Sequence, residues 1–334
     1  MATLTQREHH RHPIDAFEDV GALRRAVAGL AARRSGLRPG EAELAATELA
    51  TNLLRHADPG GYMLYRQTCE GIELLSVDTG PGMVGPRARA ETVGSPAPGT
   101  GGLSAGLAGV RRMSTDFDCY STPAGTVLLA RLGTQPDTGR RWRCGGVNVP
   151  LGDMGASGDA WAVADGLRLA ALVVDGLGHG DQAAAAAQAV VTVFDQRPVT
   201  DPEDFLRRAH EAMRGTRGGV AGVCVIDPQK DQLTYAGIGD IAGQVVHGGE
   251  RQHLLSHPGT LGTLLLAPRI HVQHGRWPRG ATLVMTSDGI RSGWDLSAYP
   301  GLLGHDPAVI AAALHRDFTR STDDAAVLVV RDVS

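Results

Sequence analysis

The sequence predicts two domains in series, an α/β domain followed by an α+β domain, and three observations predict this. The chain has 334 residues, more than the roughly 100–150 typical of one domain. Helical periodicity alternates with strand-like runs up to Leu132, whereas short apolar strands dominate after Gly145. Between them, residues 133–139 read Gly-Thr-Gln-Pro-Asp-Thr-Gly, the composition of a linker. The expected division is a flexible segment 1–13, a first domain 14–134, a linker 135–144 and a second domain 145–334.

In the first domain, alanine and leucine recur at helical spacing over residues 17–34 and 41–57. Strands are expected at 62–67 and 72–77 about the turn at Gly71, then a Gly/Ser/Pro-rich loop, a helix near 107–113 and a strand at 127–132. Together they read as an α/β sandwich. In the second domain, strands are expected at 159–163, 167–174, 220–226, 233–238, 281–286 and 325–330. Asp181 is a candidate cap for an alanine-rich helix reaching Phe194, Asp201-Pro202 opens a helix closed by Gly215, and Asp306-Pro307 opens a third reaching Phe318. Many strands with two or three long helices predict a sheet sandwich flanked by helices.

Composition excludes several classes. Hydrophobic residues make up 42% and charged residues 20%, which suits a globular protein and not a disordered one. A net charge of −4 without a basic stripe argues against nucleic acid as a partner. The longest apolar run, 167–174, stops at Asp175, too short to span a membrane, and the first residues have no apolar signal core. Lys230 is the only lysine, so a P-loop, a protein kinase built on a strand lysine and a Schiff-base enzyme are all excluded. Cys69, Cys119, Cys144 and Cys224 are scattered without a Cys-x-x-Cys pair, which fits a reducing cytoplasm.

Two constellations carry chemistry. Glu48, Asn52 and His56 recur every four residues on one helix and share a face. The strand that follows ends in Asp78-Thr79-Gly80-Pro81-Gly82, a glycine-rich loop fills 94–106, and Ala124-Gly125-Thr126 precedes a further strand. This series, over residues 14–132, resembles the GHKL ATPase superfamily, in particular the RsbT-like switch serine kinases and anti-sigma factors. The resemblance implies a Bergerat-type α/β sandwich binding ATP and Mg2+. It implies that Asn52 coordinates magnesium, that Glu48 polarises an attacking hydroxyl and that Asp78 binds the adenine amino group. Gly80 and Gly82 then allow close approach, the loop with Gly102, Gly106 and Leu107 closes over the phosphates, and Thr126 completes the pocket. Backbone amides in a glycine-rich loop can cradle phosphate without lysine. The run Gly102-Leu103-Ser104-Ala105-Gly106 also matches a nucleophile elbow, but no apolar strand precedes it.

The second constellation places acids beside strands: Asp159, Asp175-Gly176, Asp288-Gly289 and Asp323-Asp324. Each alone is a turn. Carboxylates converging on one end of a sheet repel one another unless they hold hard cations, and two such cations can activate a water against a phosphoryl group. The order over residues 145–333 resembles the metal-dependent type 2C (PPM) phosphatases, with the SpoIIE/RsbX branch nearer. The resemblance implies an α-β-β-α sandwich holding two Mn2+ or Mg2+ ions through Asp159, Asp175, the Gly176 carbonyl, Asp288 and either Asp323 or Asp324, with His179 open between phosphate binding and simple exposure. His271 and His274 read as surface residues. The paired resemblances imply a cytoplasmic partner-switching regulator of bacterial stress responses. It would phosphorylate and dephosphorylate STAS-type antagonist or stressosome proteins and engage a sigma factor; in the alternative, the first domain holds ATP only to dock a partner.

Overall fold

The computed structural model describes residues 2–5, 8–34, 36–57, 60–82, 105–134, 141–152 and 155–333. In chain order the strands are β1 (Ala2–Thr5), β2 (His10–Ile14), β3 (Gly61–Gln67), β4 (Gly71–Asp78), β5 (Asp116–Thr122), β6 (Gly125–Gly133), β7 (Trp142–Val149), β8 (Asp159–Asp165), β9 (Leu169–Gly176), β10 (Gly219–Asp227), β11 (Gln232–Ile238), β12 (Ala242–His247), β13 (Glu250–Leu254), β14 (Gln273–Arg276), β15 (Thr282–Thr286) and β16 (Ala325–Asp332). The helices are α1 (Phe17–Ala31), α2 (Glu41–His56), α3 (Ala105–Met113), α4 (Asp181–Gln196), α5 (Pro202–Ala212) and α6 (Pro307–Phe318). Among the described residues no helix is long and apolar enough to cross a membrane.

The chain divides into two compact units that interleave in sequence. One comprises His9–Gly139 and Gly304–Arg316. Its antiparallel sheet runs β2-β3-β4-β6-β5. Helix α2 buries Ala42, Ala45, Ala46, Leu49 and Leu53 in one core with Leu23, Leu74, Leu107 and Leu128. Apolar residues three and four apart make this face, leaving Glu43 and Arg55 on the other sides. Residues 10–13, placed in the flexible segment by the sequence reading, lie in strand β2, whose Pro13 is tolerated because β2 is a sheet edge.

The other unit comprises Met1–Glu8, Arg140–Leu303 and Asp317–Ser334. Its two antiparallel sheets run β1-β8-β9-β10-β11-β14 and β13-β12-β15-β16-β7. Inward residues of both sheets, among them Trp161, Val173, Cys224, Leu283 and Leu328, make a shared core. Helices α4 and α5 cover the outer face of the first sheet through Ala186, Val190, Phe194, Phe205 and Leu206. Asp201 caps α5 by accepting a hydrogen bond from the Glu203 amide at 3.0 Å. Asp181 does not cap α4; the cap position is Gly180, whose φ of 76° suits glycine, and it supplies no side-chain bond.

Candidate functional sites

Antiparallel pairing sets the start of one strand beside the end of its neighbour, and both sheets of the second unit use this to gather acids. Asp159 opens β8 directly opposite Asp175 near the end of β9. Asp288 follows β15, and Asp323 and Asp324 precede β16, the strand paired with β15. The Asp175 and Asp288 carboxyls stand close enough that Asp288 acts on Asp175 as a repelling charge. The Ser287 hydroxyl donates to Asp159 Oδ2 at 2.5 Å and accepts from the Ala326 amide at 2.9 Å, so one side chain ties the two sheets at this point. Asn148 donates to the Asp159 carbonyl at 2.8 Å, and its own oxygen accepts from the Ser157 hydroxyl at 2.7 Å.

Asp159, Asp175 and Asp288 hold their protons more tightly than ordinary carboxyls. Burial, then the charges of Asp159, Asp288 and Asp323, push the Asp175 carboxyl up to about 9. Burial raises Asp159 well above the usual range against the Ser287 hydrogen bond, with Asp324, Asp288 and Asp323 adding to the rise. Burial and Asp323 likewise raise Asp288. Asp324 differs in its partners: Oδ1 accepts from the Leu151 amide at 2.6 Å and Oδ2 from the Gly158 amide at 2.7 Å. Both its oxygens are occupied by backbone, whereas Asp323 presents its charge to Asp159, Asp175 and Asp288. Two glycines permit the approach, since a Cβ at Gly176 would meet the Ala183 carbonyl and one at Gly289 the Asp324 carbonyl.

The donor set suits a hard divalent cation, being all oxygen and mutually repelling without one. Among the described residues no three His, Cys, Asp or Glu side chains form a group able to hold a metal ion as they stand. Three residues at this rim carry no sequence motif. Arg320 donates its amide to the Gly289 carbonyl at 2.7 Å and its charge lowers Asp288, Asp240 adds a repelling charge there, and Arg217 lies against Gly178.

In the first unit the structure brings together Asp78, Gly80 and Thr126. Asp78 Oδ1 accepts from the Gly80 amide at 2.9 Å and the Thr126 amide at 3.2 Å. Among the described residues Oδ2 accepts no hydrogen bond, which fits an acceptor for an amino group. Burial raises its carboxyl against those two amides and the charge of Arg316. Gly82, at φ 68°, packs against the Thr122 carbonyl. Glu48 on α2 lies against Gly106 in the first turn of α3, where any side chain would collide with its carboxylate. Asn52 follows one turn later on α2, half-buried. The Leu107 side chain is buried in the core, so only its backbone can face a ligand. Gly102 lies outside the described residues.

The double sheet with acids at one end defines a fold of the PPM phosphatase type. A solved structure from work on the bacterial stressosome as a modular system for secondary-messenger control superposes with a TM-score of 0.52 at 26% identity, covering 57% of this chain and all of that one. Crystalline RsbX in complex with magnesium superposes at 0.51 and 21% identity, over 58% of this chain and 97% of that one, a likeness of fold alone. The chain belongs to the Stage II sporulation protein E (SpoIIE) family, whose profile matches residues 165–332, half its length. Residues 15–132 match the histidine kinase-like ATPase domain. The phosphoserine phosphatase RsbX of Bacillus subtilis (strain 168) is 26% identical over 128 residues, 38% of this chain and 63% of that protein. The chain therefore spans under two thirds of that curated relative.

Proposed function

We propose that this chain is a metal-dependent phosphoserine/phosphothreonine protein phosphatase whose other unit binds ATP with magnesium, and that it acts in the cytoplasm on STAS-type antagonist or stressosome proteins in partner switching. The observation that carries the reading is the convergence of Asp159, Asp175, Asp288 and Asp323 from four strand ends onto one largely half-buried, mutually repelling cluster. Asp159, Asp175, Asp288, Asp323 and the Gly176 carbonyl would hold the two ions, and Asp324 would fix the backbone around them. Two bound Mn2+ or Mg2+ ions supply a water of lowered pKa and charge to neutralise a phosphoryl group. Ser287 and Asn148 would keep Asp159 in place. The test uses the full chain and a phosphoserine protein. Turnover should require manganese or magnesium, and Asp175→Asn or Asp288→Asn should each cost about 100-fold or more, because an amide binds a hard cation poorly. Full turnover in EDTA would overturn the reading.

For the ATPase-like unit, the retained Glu48, set against Gly106, favours a serine kinase over a module that binds ATP only to dock an antagonist or a sigma factor. A positioned base typically contributes about 100- to 10,000-fold in rate. In an Asp175→Asn, Asp288→Asn background, Glu48→Ala should keep ATP affinity and lose partner phosphorylation. A chain with intact Glu48 that binds ATP and partner but never labels the partner would instead be the docking module.

A further inference from the structure

The loop that carries Asp175 is followed by Gly176-Leu177-Gly178-His179-Gly180 and then α4. A second turn is tied alongside it: the Leu177 amide donates to the Gly218 carbonyl at 3.0 Å, and Gly219 pairs with Gly176 across β10 and β9. This turn is stiff on both sides of Arg217. The Thr216 hydroxyl donates to the Met213 carbonyl at 2.6 Å and accepts from the Gly218 amide at 3.0 Å.

Arg217 leans back over the acid-bearing loop. A Cβ built on Gly178 would lie 2.9 Å from Arg217 Nη1, so the guanidinium occupies the space that this glycine leaves open. Arg217 Nε donates to Gln182 Oε1 at 2.6 Å. The brace is a neutral amide. Arg197, Arg207, Arg208 and Arg214, on or beside α4 and α5, are all paired with carboxylates, whereas among the described residues Arg217 has no carboxylate partner. Its charge is therefore uncompensated, exposed, and held three residues beyond Asp175. Two other rim residues act on the acids themselves, Arg320 lowering Asp288 and His179 lowering Asp324.

We propose that Arg217, braced by Gln182, receives the phosphoryl oxygens of the substrate and orients the group over the carboxylate cluster. This rests on the phosphatase reading. With Nε committed to Gln182, the two Nη groups remain for two oxygens of one phosphoryl group, a planar match that an ammonium cannot reproduce. No bond is made or broken by Arg217; it binds and aims.

The test measures binding of inorganic phosphate to the manganese-loaded full chain by calorimetry, alongside KM and kcat on a phosphoserine peptide. Arg217→Ala should weaken phosphate binding and raise KM by about 10- to 100-fold, the range of a charge-assisted hydrogen bond. Arg217→Lys should recover part of this, Gln182→Ala should give a smaller loss of the same kind, and the manganese concentration for half-saturation should not move. Unchanged phosphate affinity in Arg217→Ala would overturn the proposal, as would equal losses in the alanine and lysine variants accompanied by weaker manganese binding. The calorimetric result stands without turnover. A chain that binds phosphate through Arg217 but hydrolyses nothing with manganese would refute the phosphatase reading and not this one.

Discussion

Both units bury carboxylates, and they treat them in opposite ways. In the ATPase-like unit Glu73 on β4 stands directly across from Arg66 on β3 and Arg131 on β6. It contacts them at 2.6 and 2.7 Å, and His9 at 3.3 Å. Arg131 continues to both oxygens of Asp306 at 2.9 Å each. Burial alone would raise the Glu73 carboxyl; the arginines and His9 override it and hold it well below the usual range. In the phosphatase-like unit, buried Asp159 and Asp175 face other acids and are raised. A carboxylate that serves the fold comes with its cations built into neighbouring strands. One that serves a ligand is left for the ligand to neutralise.

The sharpest way to break this contrast is to remove the charge from each kind of acid. Glu73→Gln removes the buried charge that Arg66 and Arg131 share and should destabilise the first unit by about 3–5 kcal/mol, read from denaturant unfolding of the full chain. Asp175→Asn in EDTA should do the reverse and raise the melting temperature of the second unit, at about 2–4 °C per kcal/mol of repulsion relieved. A Glu73→Gln chain as stable as the unaltered one would show that the cross-strand triad contributes nothing net.

Acid should separate the units as well. Burial, with Arg11 and His9 adding to it, lowers the His315 imidazole from 6.5 to about 3, so the folded first unit binds fewer protons than the unfolded chain between those values. Its stability should be full above pH about 6.5 and fall on acidification, by about 2 kcal/mol at pH 5. Asp175 is raised from 3.8 to about 9, so in EDTA the folded second unit binds more protons, and its stability is greatest below the unfolded value and declines as pH rises towards the folded one. Two melting transitions followed in EDTA should thus move in opposite directions between pH 8 and pH 5, and His315→Gln should flatten the slope of the first. Parallel slopes would count against the contrast.

The smallest effect belongs to an acid that is neither buried nor part of a site. Asp204 pairs with Arg197 at 2.8 Å and Arg208 at 3.1 Å, yet its side chain is 51% exposed. Asp204→Asn should change stability by about 0.5 kcal/mol or less in a thermal melt. A loss near that of Glu73→Gln would mean that pairing matters more than burial.

What could be read from the sequence follows the same physics. Strands β3, β4, β6, β8, β9, β10, β11, β15 and β16 lie inside their sheets, and their apolar runs announce them. The edge strands β1, β2, β5, β7, β13 and β14 carry polar, proline or glycine-rich sequences and escape detection. Interior β12 escapes too, because Gly243 and Gln244 break its apolar run. In β7, residues 142–144 fall inside the linker that the sequence predicts, and at Gly146 the Trp161 ring packs against the strand. The acids at strand ends were legible because turn chemistry and charge coincide there. Asp323 and Asp324 could not be told apart, since what separates them is a pair of amides from Leu151 and Gly158 far away in sequence. Arg217 belongs to no motif at all, and only the fold brings it to Gly178.

Strand β1 pairs with β8, Ala2 opposite Asp165 through Thr5 opposite Ala162, so the sheet carrying Asp159 and Asp175 takes an edge from residues that precede the ATPase-like segment. Reciprocally, Gly304–Arg316 from inside the SpoIIE-matched stretch belongs to the ATPase-like unit. During synthesis β1 leaves the ribosome long before its partner strand β8, and α6 is made long after the sheet of the unit to which most of it belongs. Neither unit can finish folding cotranslationally by itself, and a cut within residues 135–140 would yield two fragments, each lacking a piece of its own architecture.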